Sequence, residues 1–98
     1  MNILKTREGG KLTVALEGRL DTTTAPQLET ELRDALDGVS DLTFDLAALD
    51  YISSAGLRVL LSAQKAMNKR GEMLVRNASA DLMEIFEVTG FVDILNIE

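Results

Sequence analysis

Apolar positions along this chain follow two rhythms, one of period two and one near 3.6, and the rhythms alternate. Residues 3–7 fit a first strand, and Glu8-Gly9-Gly10 is a turn signal. Leu12, Val14 and Leu16 then share one face while Lys11, Thr13 and Glu17 share the other, which predicts a second strand over 11–17 and a hairpin with the first. Helical spacing follows in Ala25, Leu28, Leu32, Ala35 and Leu36. Thr24 with Gln27 has the form of a capping box, Pro26 suits the first turn, and Gly38 suits the stop. Alternation of Leu42, Phe44 and Leu46 with Thr43 and Asp45 predicts a strand to about Ala48. A second helix is expected from near Ser53 to about Asn68, stopped by Gly71, and a strand over Glu72–Arg76. Ser79 caps a third helix bearing Leu82, Met83, Ile85 and Phe86, which Gly90 ends, and a short segment with Val92, Ile94, Leu95 and Ile97 closes the chain. This order predicts one α/β domain over residues 1–98, a mixed sheet of about four to five strands with helices packed on it.

Composition narrows the chemistry. The chain has no His, which removes the usual neutral-pH general base, and no Cys, which removes thiolate catalysis, disulfides and thiolate zinc sites. Its net charge of −6 and 4% aromatic content make it a poor match for nucleic acid, which needs cations and stacking surface. Residues 1–8 contain no signal-peptide core, and no apolar run approaches the ~20 residues that span a bilayer, so a cytoplasmic location without membrane contact is expected. Asn77-Ala78-Ser79 has the form of a glycosylation acceptor; without a signal peptide it reads as a helix-capping loop.

Charge is unevenly spread. Residues 57–70 hold Arg58, Lys65, Lys69 and Arg70 and no acid, whereas 79–98 hold five acids and no base. At 100° per residue, Arg58, Lys65 and Lys69 lie within about 40° of one another on the second helix. That stripe reads either as a solvated face or as a docking ridge for an acidic partner.

The unusual stretch runs from Leu49 to Leu61 and joins a buried strand to a buried helix. Ser53 or Ser54 can cap the helix, and Gly56 would let it lie close on the sheet. The same geometry suits an oxyanion, because a helix start presents free N–H groups and partial positive charge. A phosphoryl group on such a serine adds about −1.5 to −2 charge, and Arg58, one turn beyond Ser54, is placed to pair with it.

Ile52-Ser53-Ser54-Ala55-Gly56-Leu57-Arg58-Val59-Leu60-Leu61 resembles the signature of the STAS domain, specifically of the stand-alone bacterial anti-sigma factor antagonists. Gly18-Arg19-Leu20-Asp21, with the threonine run and Ala25 after it, resembles the second motif of that family. The resemblance implies a non-enzymatic domain without a cofactor or metal. Such a domain binds an anti-sigma factor that is also a serine kinase, frees the sigma factor, and is released when the kinase phosphorylates one serine; a phosphoserine phosphatase restores binding. Position in the motif assigns the phosphorylated serine to Ser54, two residues before Gly56. The expected partner-binding set is Asp21, Thr22, Ser53, Ser54, Ala55, Gly56 and Arg58, presented by a monomer. For Asp21 the alternative is a turn residue before the first helix; Ser53 is expected to cap, the alternative being a minor phosphoacceptor. Several founding members have Asp at the position of Ser53, Ser or Thr at that of Ala55, and Gly at that of Arg58. The form seen here resembles a subgroup that includes partner-switching proteins with targets other than sigma factors.

Two further readings compete. Asp21, Asp45 and Asp50 converging at strand ends would suit Mg²⁺ and an enzyme, although Asp45 is expected to face solvent on an edge. A STAS subunit of a lipid-transport or other membrane-associated complex would have the same fold with a different task.

Overall fold

The computed structural model describes residues 1–98. Strands β1 (Asn2–Glu8) and β2 (Lys11–Leu20) form an antiparallel hairpin closed by Gly9-Gly10, with Gly9 in the left-handed region at φ 59°. Helix α1 (Ala25–Ala35) crosses to β3 (Asp41–Ile52), which pairs parallel with β2. Helix α2 (Ser54–Asn68) crosses to β4 (Glu72–Arg76), parallel with β3, and α3 (Ala80–Thr89) follows. The sheet order is β1-β2-β3-β4. Right-handed crossovers advancing in one direction put both connecting helices on the same side of a sheet. Inward residues of the strands, such as Val14, Leu16, Phe44, Leu46 and Val75, meet Leu28, Leu60, Met67, Leu82 and Phe86 of the helices in one apolar cluster. Asn96 and Glu98 exchange backbone hydrogen bonds with Val75, each 2.9 Å long, so the chain end runs as a fifth, one-bridge strand beside β4.

Three local expectations are corrected. β3 runs to Ile52 rather than about Ala48. Against β2, β3 carries an extra residue at two places, once at Leu46-Ala47 and once at Asp50. These bulges interrupt the inward–outward alternation and expose Ala47, Ala48 and Asp50, which hides the second half of the strand from a period-two pattern. Thr24 makes no side-chain cap to α1. Its hydroxyl donates to the Arg19 carbonyl at 2.9 Å and accepts from Asp21 N–H at 2.8 Å, while the Asp21 carboxylate accepts from the N–H groups of Thr23 and Thr24. An aspartate that accepts from backbone two residues on makes a turn of its own, and with the Thr24 hydroxyl engaged by Arg19 and Asp21, Gln27 N–H donates to the Thr24 carbonyl at 3.1 Å instead. Asp45 lies on a central strand, not an edge; it is half-buried and accepts from Asn77 Nδ2 at 3.0 Å and Ala47 N–H at 3.1 Å.

Two contacts fix α2 from below and behind. Arg70, just past its end, donates through Nη1 to the Leu36 carbonyl at 2.6 Å and so satisfies an orphan acceptor at the end of α1. A side chain at Gly71 would collide with the Ser40 carbonyl oxygen, so this glycine is required for close approach as well as for the helix stop.

Candidate functional site

Parallel pairing sets the site. The register places Arg19 opposite Tyr51 and Leu20 opposite Ile52, so the ends of β2 and β3 leave the sheet side by side. Ser53 N–H donates to the Leu20 carbonyl at 2.9 Å, which locks the start of α2 to the end of β2. Ser53 has an extended backbone, and its Oγ accepts from Gly56 N–H at 3.4 Å. It is the N-cap, and it is half-buried. Gly56 is buried, and a Cβ there would stand 2.7 Å from Leu20 Cγ and 2.8 Å from Ile52 Cγ1. Gly56 therefore offers a partner no surface; it lets α2 sit low enough for its neighbours to do so.

With Ser53 occupied as the cap, the next hydroxyl is surplus. Ser54 is the first residue of α2, is exposed, and makes no side-chain hydrogen bond. Ala55 beside it is small and half-buried. Arg58, one turn on, is exposed and stands outside the ion pairs of the molecule, as do Lys65 and Lys69. Thr22, Ala55 and Arg58 line one cleft of about 330 Å³ between the starts of α1 and α2. Of the residues expected here, Asp21, Thr22, Ser53, Ser54, Ala55 and Arg58 thus lie together at one end of the sheet, drawn from the loop before α1 and from the start of α2, with Asp21 lying 32 positions before Ser53 in sequence.

Asp21 is a turn-forming residue in this arrangement. The Thr23 hydroxyl at 2.7 Å holds its carboxyl below the usual carboxylate range; burial opposes it, and the backbone N–H groups of Thr23 and Thr24 lower it further. Asp45 is lowered in the same sense by Asn77, then Ala47. Asp21, Asp45 and Asp50 do not gather into a group with metal-ligand spacing.

One feature escaped the sequence pattern. The Arg19 guanidinium lies over the Tyr51 ring, 4.3 Å from its centroid, and its Nε is 3.9 Å from the Asp21 carboxylate. Such a stack at an exposed site contributes about 0.5–1 kcal/mol and presents a flat, amphipathic surface where β2 and β3 end. Arg19 belongs to the second motif and Tyr51 directly precedes the serine motif, but the bulge at Asp50 is what turns Tyr51 opposite Arg19.

The family model for the STAS domain matches residues 2–98. This chain belongs to the STAS-domain family. Over 99 residues it is 36% identical to BtrV of Bordetella bronchiseptica, provisionally assigned as an anti-sigma factor antagonist, covering 99% of this chain and 85% of that protein. It is 32% identical to the anti-sigma-B factor antagonist of Listeria monocytogenes over 104 residues, covering 100% of this chain and 90% of the relative. Its STAS domain is thus of the anti-sigma factor antagonist family. The fold matches the solved structure of the antagonist SpoIIAA in its unphosphorylated form with a TM-score of 0.79 at 15% identity, over 99% of this chain and 87% of that one. No helix of this STAS protein is long and apolar enough to cross a membrane.

Proposed function

We propose that this chain is the antagonist of a partner switch. Unphosphorylated, it binds an anti-sigma factor that is also a serine kinase and frees the sigma factor; phosphorylation of Ser54 ends binding, and a phosphoserine phosphatase restores it. The exchange takes place in the cytoplasm. The observation that carries this reading is the division of labour between adjacent serines: Ser53 serves the helix and Ser54 is left exposed. Sequence kinship to named anti-sigma factor antagonists supports it.

The chemistry follows from the geometry. The Ser54 hydroxyl is the phosphoryl acceptor, and the kinase supplies nucleotide, Mg²⁺ and base, since this chain has no phosphate-cradling loop. The start of α2 carries no acid in its first turn, so its free N–H groups and partial positive charge tolerate the new dianion without unfolding. The same dianion at the centre of a docked surface must be desolvated, and pairing with Arg58 alone leaves much of that cost unmet. A loss of about 4 kcal/mol corresponds to a thousandfold in affinity. Phosphorylation thus acts at the interface, with the fold kept.

The test is an intact-mass and phosphopeptide map of the protein from its own cells with phosphatases blocked, joined to titrations with the kinase. A phosphoryl group on Ser54, tight binding by Ser54→Ala and weak binding by Ser54→Asp are expected. Equal binding by the two variants would sink the switch.

A further inference from the structure

The facing sides of α1 and α2 do not close on one another. Between them runs a groove made of two joined hollows, about 330 and 240 Å³, that share Glu29, Val59 and Ser62. One end opens at Thr22 and Arg58, beside Ser54, and the other at Leu36 and Arg70. Small side chains keep it open: Ala25, Ala55, Ala63 and Ala66 stand on the facing helices where larger residues would fill the gap. Charge on the rim is one-sided. Arg33, Arg58 and Arg70 border the groove, and the acid among the lining residues, Glu29, has its carboxylate 3.6 Å from Arg33. An apolar floor inside a basic rim is a marked local reversal on a chain of net charge −6.

We infer that this groove receives an acidic amphipathic segment of the partner, its apolar side on the alanine floor and its carboxylates on Arg58 and Arg33. This rests on the partner-switching reading and adds the chemistry of what docks. Arg70 is held by the Leu36 carbonyl and Arg33 lies 3.6 Å from Glu29, so recognition falls first to the unpaired Arg58, with Arg33 secondary. It also extends the effect of phosphorylation beyond one residue. A phosphoryl group on Ser54, one turn before Arg58, competes for that guanidinium and sets a like charge at the mouth of the groove. An acidic segment is then expelled twice over, by loss of its cation and by repulsion.

The test uses the intact kinase that phosphorylates Ser54, titrated against variants whose folding is checked by thermal melts. Ser62 is exposed, lines both hollows and lies eight residues from Ser54, about 12 Å along the helix. Ser62→Trp, which fills the groove, and Arg58→Glu are each expected to weaken binding at least tenfold. Arg58→Glu should also flatten its salt dependence, and Val88→Ser, on the exposed face of α3 outside the groove, should stay within twofold of the parent. Should Ser62→Trp fail to fold, Arg33→Glu on the exposed rim takes its place. Binding by the groove variants within twofold of the parent, with Ser54→Asp still defective, overturns the groove and spares the switch. Binding indifferent to Ser54→Asp as well removes both. A concentration-dependent dimer of this chain, or binding to phosphatidylglycerol vesicles, that Ser62→Trp abolishes would assign the groove to a second copy or to lipid and overturn the inference.

Discussion

Helices α2 and α3 both open on a serine whose hydroxyl accepts from the N–H three residues on, Ser53 from Gly56 at 3.4 Å and Ser79 from Leu82 at 3.2 Å. Beyond the cap they diverge. The first turn of α3 contains Asp81, an anion already stationed at the positive end of the helix, and its third position is the fully buried Leu82. The first turn of α2 has no acid, has a second serine in the open, and has Gly56 where α3 has leucine. One start is closed electrostatically and packs its own side chain; the other lacks the anion, and the space at its third position is taken by Leu20 and Ile52. A capped helix start is therefore not in itself a site. What singles out Ser54 is that the structural task beside it is already done.

The sharpest way to break the comparison is at the third position. Leu82→Ala should cost about 2–5 kcal/mol by leaving a cavity. Gly56→Val should cost about 1–3 kcal/mol for the opposite reason, because its side chain has no room against Leu20 and Ile52. Urea midpoints measure both; a neutral Gly56→Val would show that α2 can lift off the sheet freely.

Next in size are the caps. Ser53→Ala and Ser79→Ala should each lose about 1 kcal/mol of stability, and Ser54→Ala less than about 0.5 kcal/mol. If Ser54→Ala proves as costly as Ser53→Ala, the two hydroxyls share the cap and the separation of roles collapses.

The smallest effect concerns the loop leading into α1. Asp21 has a lowered folded pKa, so its contribution to stability is full above the ordinary aspartate value near 3.9 and is lost as pH falls through the lower folded value. Asp21→Asn should therefore be less stable than the parent at pH 7, with the gap closing in acid. A gap that stays constant with pH would mean that the hydrogen bonds of Asp21 do not depend on its charge.

Much of this was legible in the chain. The hairpin signal at Glu8-Gly9-Gly10, the alternation about Val14 and Phe44, and the serine caps are local, and local hydrogen bonding and steric preference decide them. The serine motif was legible too, because the spacing of Ser54, Gly56 and Arg58 is a property of one helix turn. The exception at short range was Thr24, whose hydroxyl turns back to Arg19 and Asp21 instead of forward to the helix.

Long-range placement was not written in any window of residues. The tail of β3 was invisible because two bulges against β2 break its alternation. Gly71 reads as a helix stop, yet its lack of a Cβ is required by the Ser40 backbone 31 positions earlier. The stack of Arg19 on Tyr51 and the groove between α1 and α2 exist only once parallel strands have been brought together by their crossovers. Which residues turn inward, where helices begin and which hydroxyl carries the motif depend on neighbours within a few positions, so the chain alone sets them. That Asp21 and Ser54 sit at one end of the sheet, and that α2 can seat low on Leu20 and Ile52, came with the assembled fold. Those outcomes depend on strand register and close packing, which sum contacts from distant parts of the chain.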